Sequence, residues 1–267
     1  MLKKTLAVLI LGMSLGVLPV SAGGTAEAAE SLGEYKVRVA AASSLRELMP
    51  KLLEEYGRFS DDAEIEVIFG SSGKLYAQIL SGAPFDIFLA ANERYPSLLA
   101  EAGMADDSPR RYFTGTLVCV SMLEDFPDAG DFASLTEWLR RTKGKIAIAN
   151  PHTAPYGEAY ERLSKGWPEI FPGIDTPRIV TAGSVSQAFH FAFSGADCAF
   201  VSRSLLGEDA DPSVKSVIIE EKYSGPILQY GVLLNRGGND SVARRFWDFL
   251  LGPWGQKILA GGEGAPE

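Results

Sequence analysis

Two short serine-bearing turns carry most of the chemistry this chain can offer. One is AAASSL, residues 40–45, and the other is FGSSGKLYAQI, residues 69–79. Each follows a short apolar run with strand character, VRVAAA and EIEVIFG, and each opens a stretch of helical periodicity. A strand that turns through small residues into a helix leaves backbone N–H groups pointing out of the helix start, where the helix dipole adds partial positive charge. Ser43 and Ser44 in the first turn and Ser72 in the second add hydroxyl donors. A lone serine at such a place is commonly an N-cap and nothing more. Two similar turns in consecutive βα units point instead to a site for a small anion, built without a charged side chain.

The second half of the chain repeats the theme. After KIAIAN comes PHTAPYGEAY, where Pro155, Tyr156 and Gly157 open a helix and present N–H groups near Tyr156. After RIVTAG comes SVSQAF, where Gly183, Ser184 and Val185 do the same. Four strand-to-helix turns, two in each half, suit a cleft that closes on a small ligand.

The elements that must position these turns follow from hydrophobic periodicity. Strands are expected at 37–42, 64–69, 86–91, 113–121, 145–150, 178–183, 198–202, 214–219 and 228–235. Helices are expected at 45–59, 74–80, 93–102, 156–164, 185–194 and 241–259. Alternating βα units imply an α/β fold of mostly parallel sheets with helices on both faces, and two series imply two lobes. Ligands in such sheets bind beyond the carboxyl ends of the strands, where both serine turns fall.

Other chemistries fit less well. GSSGKL lacks the phosphate-loop pattern, because Ile68 stands where the first glycine belongs and Leu75 follows Lys74. A secreted serine hydrolase using Ser44 or Ser72 would want a G-x-S-x-G elbow and a histidine base at recognisable spacing, and neither occurs. His152 lies in a loop and could line a cleft, whereas His190 sits in an apolar helical stretch and reads as packed. Cys119 and Cys198 lie in apolar strand-like runs and read as buried thiols, although an oxidising compartment would permit a disulfide. No metal-ligand spacing is visible.

The N-terminus reads as an export signal: Lys3 and Lys4, an apolar stretch from Leu6 to Val20, then the small-x-small sequence Val20-Ser21-Ala22. Cleavage is placed after residue 22, or as late as 28, and no cysteine near it would carry a lipid. About 240 residues remain, enough for two domains of ordinary size. The chain carries a formal net charge of −9, and losing Lys3 and Lys4 makes it more negative. That argues against nucleic acid and against an anionic membrane surface as partners.

The motifs AAASSL, FGSSGKLYAQILSGAPFDIFLAAN, ANPHTAPYGEAY and TAGSVSQAF together resemble the periplasmic molybdate-binding proteins of ABC transporters, a branch of the two-lobed solute-binding proteins. The resemblance runs from about Val37 to Leu259. It implies a periplasmic, monomeric binding protein, not an enzyme, with no cofactor. Its ligand would be molybdate or tungstate, the metal entering only within the oxyanion, and its partner a membrane permease. Sulfate or phosphate is the alternative ligand. Carried over by position, Ser44 and Ser72 would give hydroxyl and N–H contacts, and Tyr156 and Val185 backbone N–H contacts. The lobes would comprise 35–115 with 230–267, and 116–229, with crossings near 114–118 and 229–233. Two departures stand out. Ser202, a further candidate contact with Ser43, occupies a place where some members have a ligand-binding tyrosine and is too short for the same reach, so Tyr156 or Ser43 would supply the missing donor. Ala154 replaces an acidic ligand of another branch.

Overall fold

The computed structural model describes residues 36–60, 64–127, 131–207, 211–238 and 241–263. The export-signal stretch lies outside the described residues. Among the described residues the strands are β1 (Lys36–Ala42), β2 (Glu64–Gly70), β3 (Ile87–Ala90), β4 (Arg110–Gly115), β5 (Leu117–Ser121), β6 (Ile146–Ala149), β7 (Ile179–Ala182), β8 (Cys198–Ser202), β9 (Lys215–Ile219) and β10 (Ile227–Leu233). The helices are α1 (Leu48–Gly57), α2 (Ser72–Leu80), α3 (Arg94–Glu101), α4 (Phe132–Arg141), α5 (Pro155–Gly166), α6 (Val185–Ala192), α7 (Glu221–Ser224), α8 (Asn235–Gly238), α9 (Ser241–Leu251) and α10 (Pro253–Glu263).

Two five-stranded sheets form, ordered β2-β1-β3-β10-β4 and β7-β6-β8-β5-β9. Both are mixed. In each sheet the two strands that lead into the turns and one neighbour are parallel, β1 with β2 and β3, and β6 with β7 and β8. The remaining pairs, β10 with β3 and β4 and β5 with β8 and β9, are antiparallel. The parallel expectation therefore holds for the βα units and gives way where the chain passes from one sheet to the other. The run expected as one strand over 113–121 divides at Thr116 for that reason, β4 belonging to the first sheet and β5 to the second.

Period-two alternation sets the first sheet's two faces. Val37, Val39 and Ala41 of β1 pack with Leu52 and Tyr56 of α1 and with Phe246 and Trp247 of α9. Ala40 faces the other way, toward Leu75 and Ile79 of α2 and Leu99 of α3. A further core, with Val118, Ile148, Phe200 and Trp138 among its residues, surrounds the second sheet. Cys119 and Cys198 are buried there as free thiols, and burial pushes the Cys119 thiol well up from its ordinary value. The long terminal helix expected over 241–259 breaks at Gly252-Pro253, because proline can begin α10 but cannot continue α9. The first helix is likewise preceded by a separate 3-10 turn, Ser43–Leu45.

His190 differs from expectation. It is exposed, because α6 turns Val185, Ala188 and Ala192 inward and puts residue 190 on the opposite side.

Candidate functional site

Five strand ends converge on one small cavity. Ala42, Ser43 and Ser44 follow β1, Gly70, Ser71 and Ser72 close β2, and Ala91 ends β3. From the second sheet come Ala154, Pro155 and Tyr156 after β6 and Val185 after β7. No charged residue lines it. Its volume is about 10 Å³, close to the room one water needs. A wider groove of about 790 Å³ lies elsewhere, lined by residues such as Lys51, Arg203 and Trp254. It contains none of the residues of the four turns, and charges of both signs line it.

The hydroxyls at the cavity differ in what they still have to give. Ser72 is 1% exposed, and its Oγ accepts the Ala91 N–H at 3.0 Å, so its own proton remains for another acceptor. Ser43 Oγ accepts the Ser186 N–H at 3.4 Å, a contact from the first half of the molecule to the start of α6. Ser44 Oγ instead donates to Gln229 Oε1 at 3.3 Å. Tyr156 lies in the first turn of α5 and Val185 is the first residue of α6, positions that aim amide protons out of a helix's N-terminal end. Pro155 starts α5, where its missing N–H costs nothing.

Ser202, the remaining sequence-derived candidate, is not among the cavity-lining residues. It is fully buried, with its Oγ hydrogen-bonded to Tyr156 Oη at 2.6 Å and to Ser204 Oγ at 2.7 Å. His152 is exposed and does not line the cavity.

Sequence reasoning passed over Ser71. It is the N-cap of α2, yet its side chain makes no capping bond. It is 3% exposed, lines the cavity, and its Oγ has no hydrogen-bond partner. A buried hydroxyl without a partner is costly, so it marks a place where a bound acceptor would be welcome. The doubled serine of GSSG was the signal, but spacing alone does not say which of the pair faces the cavity.

The halves already touch around the cavity. Gly73 N–H donates to Thr153 C=O at 2.9 Å, and Tyr95 Oη donates to His152 C=O at 3.4 Å. A Cβ at residue 73 would lie 2.7 Å from Tyr95 Oη and 3.1 Å from Thr153 Cα, so glycine is what permits this approach.

A two-lobed arrangement whose four turns meet across a neutral, donor-lined cavity is what a ligand-capturing protein requires. Residues 37–261 match the family model of bacterial extracellular solute-binding proteins. The chain belongs to that family. Among related solute-binding proteins, the molybdate-binding protein ModA of Azotobacter vinelandii is 32% identical over 252 residues, 91% of this chain and 94% of that one. ModA of Rhodobacter capsulatus is 34% identical over 198 residues, 72% of this chain and 73% of that one. The solved structure of the Azotobacter vinelandii periplasmic molybdate-binding protein superposes with a TM-score of 0.77 at 27% identity, covering 86% of this chain and 99% of that one. This solute-binding protein is thus ModA-like in sequence and in fold. Among the described residues no helix is long and apolar enough to cross a membrane, and no cluster of three His, Cys, Asp or Glu could hold a metal ion.

Proposed function

We propose that this solute-binding protein captures molybdate, and tungstate with it, and hands it to the membrane permease of an ABC transporter. The observation that carries the reading is the meeting of neutral donors from both lobes at one buried cavity with no charged lining. Its relatives named for molybdate supply the ligand class. Ser72 and Ser43 would give their hydroxyls, and Ser44, whose hydroxyl proton goes to Gln229, would join Tyr156 and Val185 in giving a backbone N–H group. Ser71 joins them as a further hydroxyl donor. The cavity is tight, so the oxyanion seats with the lobes parted slightly from this pose and draws them together around itself.

The magnitudes are compatible. Micromolar affinity needs about 8 kcal/mol, and a hydrogen bond to a charged group contributes about 1.5–3 kcal/mol. About five well-aimed donors suffice after closure costs. A singly protonated phosphate would want an acceptor for its proton, and the lining has no carboxylate.

The lobes in this reading follow the two sheets, one being 35–115 with the chain from β10 onward and the other the stretch between them, the second crossing falling before Ile227 and not at 229–233. A cleaved signal would deliver the protein to the periplasm without a lipid anchor, and it would act as a monomer. Calorimetry with molybdate, tungstate, sulfate and phosphate on one sample tests the ligand. Molybdate and tungstate are expected to bind at micromolar or tighter concentrations and sulfate at least a hundredfold more weakly. Equal or tighter sulfate binding would overturn the reading.

A further inference from the structure

Behind the cavity lies a closed ring of buried polar groups that joins the two lobes. Ser44 Oγ donates to Gln229 Oε1 at 3.3 Å, and Gln229 Nε2 donates to Tyr156 Oη at 3.1 Å. Tyr156 Oη is bonded to Ser202 Oγ at 2.6 Å, and Ser202 Oγ to Ser204 Oγ at 2.7 Å. Ser204 Oγ then donates to Ser44 C=O at 2.7 Å, which returns the ring to its start. Tyr112 Oη lies 3.1 Å from both Gln229 Oε1 and Ala90 C=O, two acceptors that share its single proton.

Ser44, Tyr112 and Gln229 belong to the first sheet and its turn, while Tyr156, Ser202 and Ser204 belong to the second sheet and its helices. Gln229 itself is fully buried. It sits beside a register shift, where Gln229 pairs with Phe113 and Tyr230 with Arg111, so that Tyr112 of β4 is the extra residue. Gly115, at the end of β4, leaves the space: a Cβ there would overlap Tyr156 Oη and lie 2.8 Å from Gln229 Nε2.

We infer that Gln229 is a positioning residue, the centre of an interlobe latch that holds the binding turns of both lobes in their closed arrangement. Its amide matches both neighbours at once, accepting from Ser44 on one lobe and donating to Tyr156 on the other. The two residues it orients, Ser44 and Tyr156, are both among those that line the cavity. Opening the lobes breaks the Gln229–Tyr156 and Ser204–Ser44 bonds together, so the ring favours closure cooperatively. The ring needs no ligand. Its effect on affinity rests on the oxyanion reading above, while its effect on ligand-free shape does not.

Gln229→Leu removes both bonds while keeping a similar volume. Ligand-free solution scattering is expected to show a larger radius of gyration than wild type, and stopped-flow to show molybdate dissociating about tenfold faster. Gln229→Glu adds a finer readout. Its buried carboxylate loses the donor to Tyr156 and repels a dianion, whereas its protonated form regains both roles, so binding by this variant should strengthen as pH falls across roughly 7 to 5. A residue that merely fills space would confer no such profile. If Gln229→Leu does not fold, Gly115→Ala tests the same ring with every ring side chain retained, because the added methyl displaces Tyr156 Oη and Gln229 Nε2 from each other. Wild-type dimensions and dissociation rate in Gln229→Leu or Gly115→Ala would overturn the latch. Failure of wild-type protein to bind any tetrahedral oxyanion would overturn only the ligand reading, because the scattering comparison still decides the latch.

Discussion

At the residue scale, the cavity separates hydroxyls that the sequence makes look equivalent. Ser72 accepts from Ala91 and keeps its proton, Ser71 has no partner, and Ser44 spends its proton on Gln229. Ser72→Ala should weaken molybdate binding by about 1.5–3 kcal/mol, roughly ten- to hundredfold. Ser71→Ala should weaken binding too and should leave or slightly raise the ligand-free melting temperature, since it removes a buried group that has no partner. Calorimetry and thermal melting of the two variants check this, and unchanged affinity in both would remove the second turn from the site. Sequence alone pointed to Ser44, Ser72, Tyr156 and Val185, which the fold brings to one cavity. It did not point to Gln229, whose bond to Ser44 spans 185 positions in the chain. A glutamine inside an apolar strand gives no periodic or motif signal; only the tertiary partner gives it a role.

At the element scale, the second turn does two jobs. Its serines face the cavity and its Gly73 docks against the backbone of the opposite lobe at Thr153. Gly73→Ala would put a methyl group into that contact. The expected outcome is weaker oxyanion binding through faster dissociation, because the methyl group meets Thr153 Cα of the opposite lobe and Tyr95 Oη. Stopped-flow dissociation checks it; an unaltered dissociation rate would show that closure does not use this contact. The βα units were legible because strand and helix periods differ and small residues punctuate them. The neighbouring PFD segment shows where motif and role part. Asp86 is fully buried, and its carboxylate accepts the Arg38 N–H at 2.8 Å and the Arg236 Nε–H at 2.8 Å. It fastens β3 to β1 and to the segment after β10 and does not reach the cavity. Helix α4, capped by Asp131 through the Ser134 N–H, and the separation of β4 from β5 lie outside the simple βα repeat. They were less legible because sheet membership depends on partners far along the chain.

At the scale of the whole molecule, an acidic protein is asked to hold a dianion. The chain carries a formal net charge of −9, so its overall field repels the ligand it is proposed to bind. Capture must then come from short-range donors and helix starts, which act only once the anion is inside the cleft. The lysine of the GSSGK turn is the one group that could reverse this account. Lys74 is exposed, is not among the cavity-lining residues, and carries its Nζ toward Gly183, where a Cβ would lie 3.1 Å from it. Salt separates the two possibilities by sign. Screening a repulsive long-range field should raise the association rate as sodium chloride increases, while bonds inside a closed cleft keep the dissociation rate nearly constant. Affinity should therefore hold steady or improve slightly with salt, and Lys74→Met should cost less than about threefold. A direct lysine–oxyanion contact gives the opposite: affinity falling steeply with salt, and a loss of roughly a hundredfold in Lys74→Met. Stopped-flow association and dissociation rates for wild type and Lys74→Met, each at low and high sodium chloride, decide between a site held by neutral donors and one held by charge.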